Sequence, residues 1–303
     1  MSEEKIAIVG TGRVGTALTR ALYETGYNVA VVYDTDMDKA RAIAAQCGNM
    51  PQVVPMEEFP TDLGLVFFTV TDDELTSIIE QAAVKIPVTQ GTIVAHCSGA
   101  YSSELLTAFQ PATPLLASMH PVQSFPGTQD DWKRFFGIYF GLEGNEEALK
   151  RLQHITKVLQ SRHVIIPTDK KVLYHVGCVM ASNYLVSLIS GSLSIMDHVG
   201  FNREDAFKII QPLVLNTFEN IKKNGPAGAA TGPITRGDMG TVKRHLQDLQ
   251  DLGPLLNDAY RNLGLLLIDT VYENPGSSKK TLDDIRGFLL SAAQDDNKNN
   301  NIT

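Results

Sequence analysis

The stretch Lys5–Asp38, KIAIVGTGRVGTALTRALYETGYNVAVVYDTDMD, decides how the rest of the chain is read. Ile6 to Val9 form a short apolar run that stops at Gly10, and Gly10, Gly12 and Gly15 follow in the spacing GxGxxG. From Val14 onward the apolar positions Val14, Ala17, Leu18, Ala21 and Leu22 repeat as i, i+3, i+4, i+7 and i+8, the stripe of a helix with one buried face. Gly26 is placed to end that helix, and a second apolar run, Val29 to Tyr33, finishes at Asp34. Strand, glycine turn, helix, strand and acid make up a dinucleotide fingerprint, in which the acid falls about 20 residues past the glycines. Each residue type has a physical reason. Gly10 permits a tight turn, Gly12 lets the backbone approach a pyrophosphate, and Gly15 lets the helix pack on the sheet. The free N–H groups of the turn, around Thr11, Arg13 and Val14, then face the phosphates. Asp34 is expected to accept from both ribose hydroxyls. That favours NAD over NADP, because a 2′-phosphate would meet this carboxylate and that of Asp36 nearby, with only Lys39 and Arg41 downstream as an offset.

Composition narrows the classes. A chain of 303 residues, 43% hydrophobic and 20% charged, has the make-up of a soluble globular protein of one large or two ordinary domains. A net charge of -8, with no basic cluster, argues against nucleic acid or an anionic membrane as partner. The three cysteines, Cys47, Cys97 and Cys178, lack metal-ligand spacing, so neither a metal site nor a disulfide framework is expected, and a reducing cytoplasm fits best. The first strand begins almost at once, leaving no room for a signal peptide, and no uncharged apolar stretch is long enough to suggest a membrane span.

The α/β alternation continues past Asp34. Asp36 or Asp38 can cap a helix ended by Gly48, and Val53 and Val54 suggest a short third strand. Leu63 to Val70 reads as a central strand, apolar on both faces. At its carboxyl end the backbone of Thr69 and Val70 is expected to touch the cofactor, with Asp72 and Asp73 as helix caps. The strand Thr92–Cys97 ends in HCSGAYSSEL, which puts Ser98 and Gly99 near the nicotinamide ribose; His96 reads first as a satisfied buried histidine. A sixth strand, Leu115–Met119, ends at His120, where a histidine can orient or protonate a carbonyl at neutral pH, or serve the structure alone. Further strands at Ile138–Leu142 and Val164–Ile166 complete an α/β, Rossmann-like, doubly wound domain over residues 1–168.

From residue 169 the reading is all-α, a helical substrate and dimerisation domain over 169–293 followed by a frayed tail, 294–303. Asp169 can cap a long helix to about Val199, read as a buried central helix. On it Lys171 and His175 share one stripe and Asn183 lies two turns on. These three either bond to neighbours or line a cleft. Asn202 caps the next helix, which Pro212 should kink. The stretch Gly225–Gly240, GPAGAATGPITRGDMG, reads as a loop in which Arg236 either grips a substrate carboxylate or pairs with Asp238. The apolar helices of 170–290 are expected to form a homodimer interface.

In combination, GTGRVG, HCSGAYSSELL, SMHPVQSF, YHVGCVMASNYL and GPITRGDMGTVKRHL resemble NAD(P)-dependent oxidoreductases that join a Rossmann-like domain to a helical domain of unassigned function. The likeness covers nearly the whole chain. The wider superfamily includes pyrroline-5-carboxylate reductase, 3-hydroxyisobutyrate dehydrogenase, prephenate dehydrogenase and ketopantoate reductase. Many relatives carry a lysine four residues before the asparagine on the first long helix. Here that position is Val179, so His175 or Lys171 would serve instead. Relatives using NADP often place a small residue and an arginine where this chain has Asp34 and Thr35. The resemblance implies hydride transfer to or from a small carbonyl or 2-oxo acid, ketopantoate among the candidates, with the carboxylate near Arg236 and the carbonyl near His120 or His175. The alternative is a non-catalytic dinucleotide-binding redox sensor that acts through a protein partner.

Overall fold

The computed structural model describes residues 4–48, 50–274 and 278–299. The elements run β1 (Lys5–Val9), α1 (Arg13–Glu24), β2 (Asn28–Tyr33), α2 (Met37–Gln46), β3 (Gln52–Val53), β4 (Leu63–Phe68), α3 (Asp72–Lys85), β5 (Ile93–His96) and β6 (Leu116–Pro121). They continue with β7 (Tyr139–Gly144), α4 (Glu146–Val158), β8 (Arg162–Ile165), α5 (Lys171–His198), α6 (Arg203–Ala229), α7 (Pro233–Arg236), α8 (Met239–Gln250), α9 (Pro254–Val271) and α10 (Lys279–Asn299). Eight strands form one sheet in the order 3-2-1-4-5-6-7-8. β1 to β6 pair in parallel, and β7 runs antiparallel to β6.

Strand alternation builds two apolar layers. Ile6, Ile8, Leu65 and Phe67 face one side, packed with Ala17, Leu18 and Leu22 of α1 and Leu152 of α4. Ala7, Val9, Val66 and Phe68 face the other, against Leu75, Ile78 and Ile79 of α3. Successive side chains on a strand point to opposite faces, so a sheet covered on both sides must be apolar at every position, as β4 is. Gly26 follows α1 at φ +85 and Gly48 follows α2 at φ +63, the left-handed stops read from the sequence.

The chain divides into two compact units, one ending at Tyr184 and the other starting at Leu185. The division falls inside α5, later than the strand-to-helix switch at residue 168, because Lys171 and Tyr174 in the first turns of α5 are hydrogen-bonded to Ser118 and His120 of β6. In the second unit Ile234, Val242, Leu246, Ile268, Ile285 and Leu289, from α7 to α10, form a core of their own.

Several expectations are corrected. Asp169 does not cap α5; it sits in a 3-10 turn, Thr168–Lys170, and pairs with Lys170. Thr71, rather than Asp72 or Asp73, is the cap residue of α3, and the two acids lie in its first turn, where they complement the helix dipole. α5 is not buried: Val172, Leu173 and Val186 are each at least 65% exposed. The helical segment Thr168–His198 is also long and apolar enough to cross a membrane, with its most apolar window unburied in the single chain. Its serines, glycines and asparagine are polar or small but uncharged, which hid this length. α6 keeps helical dihedrals through Pro212 and breaks instead at Gly225, φ +71. The expected loop 225–240 is largely helical, because Pro226 and Pro233 each open a new turn without needing an N–H partner. α10 runs to Asn299, so the tail expected to fray from 294 is helical to that point; 300–303 lie outside the described residues.

Candidate functional site

The glycine turn is held open from below. Gly10 takes φ +98, and a Cβ there would come within 2.6 Å of Val70 Cγ1. Thr69 Oγ1 donates to Gly10 O at 2.6 Å, tying the turn to the end of β4. A Cβ on Gly15 would lie 1.9 Å from Gly10 O, whereas one on Gly12 would meet nothing within 4 Å. Gly15 is therefore required by packing, and Gly12 leaves open the space above α1. Gly12 caps α1 without a side chain, so the first N–H groups of the helix have no intrahelical acceptor.

Above this turn lies a cavity of about 760 Å³ lined by Gly10, Thr11, Gly12, Arg13, Asp34 and Trp132 among others. Asp34 is engaged within the protein. Its Oδ2 accepts from Thr11 N at 2.6 Å and Thr11 Oγ1 at 2.9 Å, and Oδ1 from Asp36 N at 2.9 Å. Burial opposes ionisation here, but the bonds from Thr11 and Asp36 outweigh it and hold the pKa below its usual value. The carboxylate thus offers a ribose the remaining capacity of Oδ1 rather than two open oxygens. Arg13, Arg20 and Lys39 supply positive charge around the same cavity. Orphan amides, an open Cα at Gly12 and nearby cations fit a dinucleotide pyrophosphate.

A second cavity of about 230 Å³ shares Val14, Thr69 and Val70 with the first. Ser98, Gly99, His120 and His175 line its other end. Ser98 Oγ accepts from Ala100 N and Tyr101 N, both at 3.1 Å, shaping the turn after β5. His96 is a satisfied structural histidine: Nδ1 accepts from Ser98 N at 3.2 Å, and Nε2 lies 3.0 Å from Ser102 O. Burial drives its pKa down to about 4.

His120 is the second-last residue of β6, at the strand end where the sequence placed it, and stands opposite Gly141 of β7. Its Nδ1 is 2.9 Å from the Tyr174 hydroxyl, and its ring meets that of His175 edge to face at 5.5 Å. Burial, then the Lys171, His175 and His96 charges, lower its pKa to about 3. Gly99 makes this convergence possible. A Cβ there would sit 2.3 Å from His175 Nδ1 and 2.8 Å from His120 Nε2.

The family models match in two pieces. A Rossmann-like domain spans residues 2–121, and a domain of unknown function, DUF2520, spans residues 138–266. Along the chain a match to a Rossmann-like model is thus followed by a match to the DUF2520 model. His120 closes the Rossmann-like match, while Gly141, Lys171, Tyr174 and His175 belong to the DUF2520 match. A solved protein of Thermotoga maritima is 26% identical, with 88% of this chain and 98% of that one covered and a TM-score of 0.69. A Bacteroides fragilis protein provisionally named an NADP oxidoreductase is 20% identical, with 89% and 98% covered and a TM-score of 0.69. A pyrroline-5-carboxylate reductase of Coxiella burnetii is 14% identical, with 86% and 97% covered and a TM-score of 0.55. No curated protein shows significant similarity.

The other candidates separate. Lys171 shares the stripe with His175 but is buried, donating to Ser118 Oγ at 2.6 Å, and it lines neither cavity. Burial lowers its pKa to about 8, against the opposing pull of Glu143. Asn183 is exposed and lines neither cavity. In the second unit Arg236 is exposed at the end of α7, and Asp238, expected as its partner, caps α8 through Thr241 N at 3.0 Å and Thr241 Oγ1 at 2.7 Å. Sequence reasoning passed over Tyr174, Glu143 and Gly141. Tyr174 lies one turn past Lys171, so the helical stripe itself pointed to it; the β6–β7 register that gives Glu143 and Gly141 their places leaves no sequence signature.

Proposed function

We propose that the chain is a dinucleotide-dependent oxidoreductase acting on a small carbonyl or 2-oxo acid, with ketopantoate among the candidates. One observation carries the reading: a glycine-turn cavity suited to a pyrophosphate is contiguous, through Thr69 and Val70, with a smaller cavity where ring nitrogens of His120 and His175 converge. The bound cofactor would supply or take the hydride. Gly10, Thr11, Gly12, Arg13, Val14 and Gly15 would hold its phosphates, Asp34 its adenosine ribose, and Thr69, Val70, Ser98 and Gly99 its nicotinamide half. His120 and His175 would hold the substrate oxygen. Arg236, read from the sequence as a possible grip for a substrate carboxylate, is exposed at the end of α7 in the second unit, and its charge acts on Asp238. Convergent polar atoms support an enzyme over a sensor, which would need no such pair.

NAD is favoured over NADP on the charge of Asp34 and Asp36. A reductive aminase of Aspergillus terreus solved with NADPH and a pyrroline carboxylate reductase of Plasmodium falciparum solved with NADP share the fold, which makes the preference an experimental question. A homodimer and a cytoplasmic location complete the proposal, supported by the exposed apolar residues of α5 and by the free cysteines. Fluorescence titration with NADH and NADPH, then a screen of keto and hydroxy acids for a change in cofactor absorbance, tests the reading. Binding of neither cofactor would overturn it; turnover only of imines would move it to C=N substrates.

A further inference from the structure

Behind the two histidines, β6, β7 and α5 build two rungs. Ser118 stands opposite Glu143 and His120 opposite Gly141 in the antiparallel register, and residues two apart on a strand share a face. Lys171 and Tyr174, one turn apart on α5, each add a side chain to one rung.

In the first rung Glu143 accepts from Ser103 N at 2.7 Å, Ser103 Oγ at 2.8 Å, Thr168 Oγ1 at 2.9 Å and Ser118 Oγ at 3.1 Å. Four donors satisfy a carboxylate in its ionised form. Ser118 has one proton, which goes to Glu143, so it receives Lys171 Nζ as an acceptor. The result is a buried ion pair bridged by a hydroxyl, which anchors the start of α5 against the sheet.

In the second rung the Tyr174 hydroxyl occupies the notch left by Gly141, where a Cβ would come within 2.4 Å of it. Its partners are His120 Nδ1 and, one turn further along α5, the Cys178 side chain, whose S–H can donate to the tyrosine oxygen and leave the hydroxyl proton for His120. The charged and titratable groups around His120 are Lys171, Tyr174 and His175 from α5, His96 from β5, Glu143 from β7 through Ser118, and Asp72 from α3, which lines the same cavity. Among the described residues no carboxylate bonds the ring directly, and burial with the Lys171 charge beside it disfavours an imidazolium; a neutral imidazole carries its proton on one nitrogen only. His175 Nδ1 is also buried and has no hydrogen-bond partner among the described residues. It faces the same space over Gly99 as His120 Nε2.

We propose that Tyr174 is a positioning residue that donates to His120 Nδ1, so that His120 presents a fixed Nε2–H donor to the substrate oxygen and His175 alone exchanges the proton. In the reductive direction doubly protonated His175 gives its Nδ1 proton to the substrate oxygen, is left neutral with its remaining proton on Nε2, and is reprotonated from solvent; in the oxidative direction neutral His175 takes the proton at Nδ1 and passes it to solvent. This assignment rests on the proposed hydride-transfer site.

The test is histidine-selective ¹⁵N NMR of the unmodified full chain without cofactor, with the rings assigned by single His→Gln variants. His120 should show a protonated Nε2 and a bare Nδ1 at neutral pH, and should stay neutral through mildly acidic pH. In Tyr174→Phe that single tautomer should give way to a mixture, while the His96 signals, fixed by Ser98 and Ser102, stay in place and report an intact fold. Gly141→Ala, which crowds the hydroxyl out while keeping tyrosine, should act alike. A protonated Nδ1 on His120 in the unmodified protein overturns the assignment, as does an unchanged tautomer in a folded Tyr174→Phe. If Tyr174→Phe does not fold, the unmodified spectrum decides. Failure of both cofactors to bind would overturn the function while leaving the tautomer result standing.

Discussion

At the scale of the residue, His120 and His175 are asked for transition-state work. Replacing either by Ala should lower turnover by about 100-fold or more while the dissociation constant for the cofactor moves little, because such groups act chiefly on the developing charge. Near-normal turnover of both variants on an identified substrate would remove them from the chemistry. Asp34 governs a separate quantity. Like-charge contact with a 2′-phosphate is expected to make NADH bind about tenfold tighter than NADPH, equivalent to ~1.4 kcal/mol. Asp34→Ser combined with Thr35→Arg should narrow or reverse that ratio, and titrating both cofactors against both proteins reads it directly. Tighter NADPH binding to the unmodified chain would show that Asp34 does not face the ribose. His96 has a structural consequence. Its pKa falls from 6.5 to about 4 on folding, so between those values the unfolded chain binds more protons than the folded one. Stability from this group is therefore complete above its unfolded pKa and declines as pH falls toward 4, by up to ~1.4 kcal/mol per pH unit. Urea midpoints at several pH values should show a shallower acid loss in His96→Gln; an unchanged slope would contradict the buried neutral ring.

Within elements, the glycine turn separates fold from function. Gly15→Ala forces a Cβ into Gly10 O and should cost about 1–3 kcal/mol of stability as well as cofactor binding. Gly12→Ala has room in the folded chain, so its urea midpoint should hold while the extra methyl obstructs the pyrophosphate and weakens binding. Equal loss of stability in both variants would mean that the two glycines do the same job. The motif was legible because each glycine has a local cause. α5 was less so. Its stripe of Lys171, Tyr174 and His175 could be found by counting residues, but which of them reaches solvent depends on what the helix lies against: Ser118 draws Lys171 inward, and Gly141 admits Tyr174.

For the whole molecule, the exposed apolar residues of α5 and α6 call for a cover. Val172, Leu173, Val186, Leu213 and Phe218 are each more than 60% exposed, and a stable interface removes about 800 Å² from each partner. Light scattering should give a dimer at micromolar concentration, and Leu173→Lys combined with Leu213→Lys should shift it toward monomer. A monomeric unmodified chain would leave these residues to another partner, a bilayer included, since Thr168–His198 has the length and composition of a span.

By itself the sequence determined the α/β alternation, the dinucleotide turn and the change from strand to helix near residue 168, because each depends on neighbours within about ten residues: apolar period, glycine conformation and chain stiffness. Tertiary structure alone decided that His120 stands opposite Gly141, that Lys171 is buried on Ser118 and Glu143 while Asn183 stays exposed, and that Asp34 is held by Thr11. These depend on the register between strands far apart in the chain and on which face of α5 meets the sheet, and no local pattern encodes either.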